Sequence, residues 1–135
     1  MRIERLLAGA LALAMSAVVW SASAAAAVEE RSFWLTNTAD LLELCKTPSD
    51  DPQYGEAINY CMAYMDGAVD YHDAITDHEE LKRLICYPET ATLEQGVLVF
   101  IAWGEANQGD EKKMNEPTII GVVRALADKW PCEAS

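Results

Sequence analysis

Residues 54–77 read YGEAINYCMAYMDGAVDYHDAITD, and this stretch decides the fold class. Tyr54, Ala57, Ile58, Cys61, Tyr64, Met65, Ala68, Tyr71, His72 and Ile75 recur at steps of three and four residues. At the roughly 100° per residue of an α-helix they form one broad face centred near Cys61. Asp66, Asp70, Asp73 and Asp77 gather on the opposite side. The pattern predicts a long amphipathic helix, apolar toward a core and acidic away from it. Gly67 stands in its middle, where glycine costs about 1 kcal/mol relative to alanine. A neighbouring helix crossing closely at that point is the expected reason.

Outward from this helix, three more follow the same logic. Upstream, Leu41, Leu42 and Cys45 make a short apolar stripe, with Thr38 as the predicted cap and Asp40 suited to the helix N-terminus. Pro48 and the Ser49-Asp50-Asp51-Pro52 run end it. Downstream, Asp77 to Tyr87 reads as a connection with a helical turn in it, and Glu79 and Glu80 continue the acidic stripe. Thr92 and Gln95 have capping-box spacing ahead of a seam of Leu93, Val97, Phe100, Ile101 and Gly104. Leu98, Val99 and Ala102 occupy its other face, so this helix is expected to be the central, most buried one. The run Val97 to Trp103 taken by itself also suits a buried strand. The capping signals, and the lack of strand partners elsewhere, favour helix. Glu105 to Asn115 reads as a polar loop. Pro117 then opens a last helix with Ile119, Val122, Val123, Leu126 and Trp130 on its stripe, and Pro131 stops it. The expected fold is all-α: a small four-helix domain.

The chain begins with a different kind of segment. Arg2 and Arg5 precede an apolar run from Leu6 to Trp20, and Ala22-Ser23-Ala24 offers a small-x-small cleavage site. Residues 1–24 therefore read as a secretory signal peptide. The run is shorter than the ~20 residues of a membrane span, and no positive stop-transfer cluster follows it. Removing 24 of the 135 residues leaves 111, residues 25–135, enough for one domain with one modest core.

The formal net charge is −12, from 22 acidic and 10 basic residues. The leader holds Arg2, Arg5 and Glu4, so the processed chain is one unit more negative still. Nucleic acid and anionic membrane surfaces would repel such a chain. A basic partner, or solubility itself, fits it.

Cys45, Cys61, Cys86 and Cys132 all lie in the processed part, and an even count in an exported chain of this size points to two disulfides. No C-x-x-C pair is present, which argues against zinc and against thioredoxin-type chemistry. Four cysteines allow three pairings. Antiparallel helices with short connections favour Cys45 with Cys61, and Cys86 with Cys132.

Leu41-Leu42-Glu43-Leu44-Cys45, Tyr60-Cys61-Met62-Ala63-Tyr64-Met65-Asp66-Gly67, Ile85-Cys86-Tyr87-Pro88, Ala125-Leu126 and Trp130-Pro131-Cys132 occur in a telling order. Together they resemble the Rap/Tai immunity proteins of type VI secretion, over about Thr38 to Cys132. Ala63 stands where that family usually has glycine, and Glu105 to Asp110 lacks the family's His-Pro-Glu turn. The resemblance implies a periplasmic protein of a Gram-negative bacterium that binds a cell-wall amidase toxin and plugs its active-site cleft, often as a dimer. The fold also resembles that of HdeA-type acid-stress chaperones, whose logic would be carboxylate protonation below about pH 4.

Candidate chemistry is sparse. The stripe Asp66, Asp70, Asp73, Asp77 could steer a basic partner, or be an ordinary solvated helix face. The polar loop, with Glu105, Asn107, Asp110 and Glu111, is the second candidate surface. His72–Asp73 and Asp77–His78 suggest a metal or an acid–base pair. Helical angles place His72 and Asp73 on different faces, so the pair is not expected to converge. No nucleophile elbow and no phosphate loop occurs, so neither catalysis nor a cofactor is expected. Trp34, Trp103 and Trp130 suit the core or its edge, although Trp34 would also suit an interface.

Overall fold

A computed structural model describes residues 27–78 and 81–133. Residues 1–24, the expected signal peptide, lie outside the described residues, as do Glu79 and Glu80. A 3-10 helix, Glu30–Trp34, precedes five α-helices: α1 Thr38–Cys45, α2 Tyr54–His78, α3 Leu93–Asn107, α4 Glu111–Met114 and α5 Thr118–Lys129. Among the described residues the sole extended pairing is an isolated bridge between Ile85 and Pro131. The all-α reading holds, with four main helices and two short ones around them.

The centre of the molecule is α1, although the sequence pattern pointed to α3. Leu41 and Leu44 are wholly buried, Leu42 and Cys45 nearly so, and every other helix packs against α1. Two glycines let its neighbours approach. A Cβ on Gly104 of α3 would fall 2.5 Å from Leu42 Cδ1, and one on Gly121 of α5 would fall 2.3 Å from Thr38 Cγ2. Gly67 has no such role, because nothing lies within 4 Å of the place its Cβ would take. The apolar wrap of α3 also misled: Leu98 is 65% exposed. The helix buries Gly96, Val97, Phe100 and Gly104 against its neighbours, which all lie to one side, and leaves Leu98 to solvent.

The caps explain the boundaries. Asn37, one residue earlier than expected, caps α1 in a reciprocal box with Asp40. Thr38 is instead buried, and its N–H and hydroxyl both donate to the Glu116 carbonyl, at 2.9 and 3.1 Å. The Thr118 hydroxyl donates toward the Leu35 and Asn37 carbonyls at 2.6 and 2.9 Å. These two threonines lock the start of α5 against the start of α1. Thr92 and Gln95 form the capping box of α3. Glu105 and Asn107 belong to α3, so the polar loop is shorter than expected. Within it Asp110 caps α4, whose Met114 is buried as an anchor. From Leu81 to Tyr87 the chain holds no helical turn.

Cys45 is bonded to Cys61, and Cys86 to Cys132. The first bridge ties the end of α1 to α2. The second ties the connection after α2 to the chain after α5, where the Cys86 N–H also donates to the Trp130 carbonyl at 2.9 Å. Each closure stabilises by roughly 2–4 kcal/mol, largely by restricting the unfolded chain.

Candidate functional site

The acidic stripe on α2 divides into two halves. Asp73 is half-buried and faces inward. Its carboxylate accepts hydrogen bonds from the Tyr87 hydroxyl, from His72 Nδ1 at 3.0 Å and from Arg83 Nη2 at 2.8 Å. Arg83 Nη2 also reaches Asp77 Oδ1 at 3.3 Å. The separation expected for His72 and Asp73 is therefore wrong. Adjacent helix positions diverge at Cβ, but a carboxylate and an imidazole are long enough to bend back toward each other.

His72 is buried, and its ring state follows from its partners. Nε2 lies 3.3 Å from the backbone N–H groups of both Leu84 and Ile85, so it must accept. Nδ1 then carries the proton and donates to Asp73. The imidazole thus stitches the 84–85 backbone to α2. Burial pushes the Asp73 carboxyl up, yet the hydrogen bonds from Tyr87 and His72 and the charge of Arg83 outweigh it. The group is held below the usual carboxylate range. Burial, with the Asp73 hydrogen bond and charge added, pushes the Tyr87 hydroxyl up to about 12. This half of the stripe is structural wiring.

Asp66 and Asp70 are exposed, and among the described residues neither forms an ion pair. Both stand at the lip of a cleft of about 240 Å³ between α2 and the start of α3. Its floor is apolar, from Met65, Leu93, Gly96 and Leu126, and Tyr87 and Trp130 close it as an edge-to-face pair 6.2 Å apart.

The second candidate surface lies at the other end of α3, about 20 Å away by the helical rise. Glu105 is paired with Lys46 at 2.9 Å. Asn107 donates to the Trp103 carbonyl at 2.7 Å and accepts from Lys113 Nζ at 2.6 Å. Asp110 accepts from the Lys113 N–H as the α4 cap. Glu111 is exposed beside it. The stripe and this loop form two patches and do not merge.

A third surface escaped the sequence reading. Tyr60, Ala63, Tyr64, Gly67 and Tyr71 line a shallow apolar groove along α2, bordered by Leu35 and Ile119. Tyr71 is 66% exposed, and Trp34 is 79% exposed in the neighbouring 3-10 helix. The available signal was that Tyr60 and Ala63 extend the apolar face of α2 beyond the stripe through Tyr64 and Tyr71.

Among the described residues no group of three His, Cys, Asp or Glu side chains is placed to hold a metal ion, and no helix is long and apolar enough to cross a membrane. Neither the curated proteins nor the solved structures contain a match to this chain. A model of the family described as Rap1a immunity proteins does match, over residues 37–132, from the Asn37 cap to the last cysteine, and the chain accordingly belongs to the Rap1a immunity protein family.

Proposed function

We propose that this protein is a periplasmic immunity protein that blocks a cell-wall amidase toxin, delivered by type VI secretion, through stoichiometric binding without a cofactor. The observation that carries the reading is the family match, which runs across every main helix and both disulfides. A small domain braced by two bridges suits the task. An inhibitor that offers a rigid surface loses less ordering entropy on binding than a flexible one. The disulfides also suit an oxidising compartment.

The surfaces we assign to the partner are the open half of the acidic stripe, Asp66 and Asp70, and the tip Asp110–Glu111. Asp73, Asp77, Glu105 and Asn107 support them through the bonds already described. Exposed carboxylates at these places would steer a basic toxin face and raise its rate of association.

The test is affinity capture of the tagged, processed protein from the periplasm of its host, followed by purification of the captured protein. We expect one partner at 1:1 that cleaves peptidoglycan and loses that activity on titration with this chain. A captured hydrolase that keeps its full activity in the complex would overturn the reading. Sedimentation of the free chain would report the dimer that the family resemblance implies. The chaperone alternative draws on protonation of the many carboxylates in acid. It requires suppression of client light scattering at low pH, and the two disulfides weigh against the opening it needs.

A further inference from the structure

The stripe on α2 already shows how it takes a cation. Arg83 spans Asp73 and Asp77, four residues apart, and its guanidinium carbon lies 5.9 Å from the centre of the Tyr87 ring. Asp66 and Asp70 repeat that four-residue spacing two turns earlier on the same face. Here no basic side chain of the described residues spans them, and Trp130 joins Tyr87 in lining the cleft beside them. The α2–α3 cleft adds partly exposed apolar side chains, Val69 and Leu93. At about 240 Å³ it falls below the range of typical small-ligand pockets, roughly 300–1,000 Å³, and suits a single long side chain.

We propose that this cleft receives one arginine side chain from a bound protein. Its guanidinium would bridge Asp66 and Asp70, and its methylene stem would lie on the partly exposed Val69 and Leu93 with Trp130 at its flank. Arginine fits better than lysine for a stated reason. A planar fork meets two carboxylates at once and stacks on an aromatic edge, whereas an ammonium is a strongly hydrated point charge. Two like charges one turn apart repel each other in the free helix, and a shared cation removes that repulsion. The inference rests on the inhibitor reading only for the identity of the protein that supplies the arginine.

The experiment uses the processed chain, isotopically labelled, with N-acetyl-arginine N-methylamide as the probe and the lysine analogue as its control. We expect saturable NMR shifts at the Trp130 indole N–H and at the amides of Asp66, Asp70 and Gly96. The lysine analogue should bind roughly threefold more weakly. The D66N/D70N double variant should weaken the arginine response roughly fivefold, the loss of two exposed ion pairs, with an unchanged circular dichroism spectrum. D70N, which keeps one carboxylate, should fall between. Absence of saturable shifts at these positions would overturn the proposal, as would an undiminished response in D66N/D70N or equal binding of the lysine analogue. The probe requires no toxin, so failure here leaves the inhibitor reading standing, and failure of the capture experiment leaves this one standing.

Discussion

Asp73 and Asp70 lie within one turn of each other on one helix face, yet they have opposite fates. Asp73 is drawn inward by three donors, two of them from residues 83 and 87, far along the chain. Asp70 is exposed at the lip of a cleft and forms no ion pair among the described residues. The difference teaches that an acidic stripe is not one functional unit. A returning segment of chain, held by Cys86–Cys132 and the Ile85–Pro131 bridge, converts half of it into structure. The other half stays exposed, and it is the surface we propose for a partner.

The comparison breaks most completely if that returning segment is released. C86S/C132S should cost roughly 2–4 kcal/mol in chemical denaturation and free Arg83 and Tyr87 from Asp73. Next comes D73A, which strands a tyrosine hydroxyl, an imidazole N–H and a guanidinium at a partly buried site. About 2 kcal/mol is expected, read as a lowered midpoint in a urea melt. The same site sets a pH signature. The Asp73 carboxyl is held below its ordinary value, so its contribution is complete above about pH 4 and is lost as pH falls through the native value. D73N should flatten that acid limb of the stability curve, and D66N/D70N should leave it in place.

Smaller effects sharpen the contrast. Y87F removes one of the three donors to Asp73 and should cost about 1 kcal/mol. Its alkaline counterpart has the opposite sign. The Tyr87 hydroxyl is pushed up to about 12, so its contribution is complete below about pH 10 and fades as pH climbs through 12. The smallest effect belongs to D66N/D70N, which should leave the unfolding free energy within about 0.5 kcal/mol of the parent, as expected of exposed positions. A large destabilisation there would show that the open half of the stripe is also structural, and the contrast would fail.

Much of the fold was legible in the residues, and the failures have specific causes. The three- and four-residue apolar steps of α2, the Thr92–Gln95 box and the proline stops are local signals, and they read correctly. Centrality did not, because the apolar content of α3 says nothing about how many neighbours reach it. Leu98 is exposed and Leu41 is wholly buried, yet both are leucines in apolar runs. Glycines misled in the same way. The penalty at Gly67 suggested a close crossing, whereas the close crossings are at Gly104 and Gly121.

The candidate surfaces were legible in part. Aspartate spacing located the stripe, but spacing carries no record of which carboxylates a distant arginine will neutralise. The Tyr60–Tyr71 groove was hidden because Tyr64 and Tyr71 looked like core while Tyr60 and Ala63 fell outside the apolar stripe. A single helix period cannot say where burial stops.

By itself the sequence determined the helical class, the placement of the main helices and the family, since these rest on periodicity, caps and short motifs within a few residues of one another. Only the tertiary structure decided that α1 is the hub, that Asp73 is wired inward and that Asp66 and Asp70 border a cleft. Each of these depends on which distant segment arrives beside a given residue. Packing geometry settles that, because charge is neutralised and surface is buried only by whatever comes within a few ångströms.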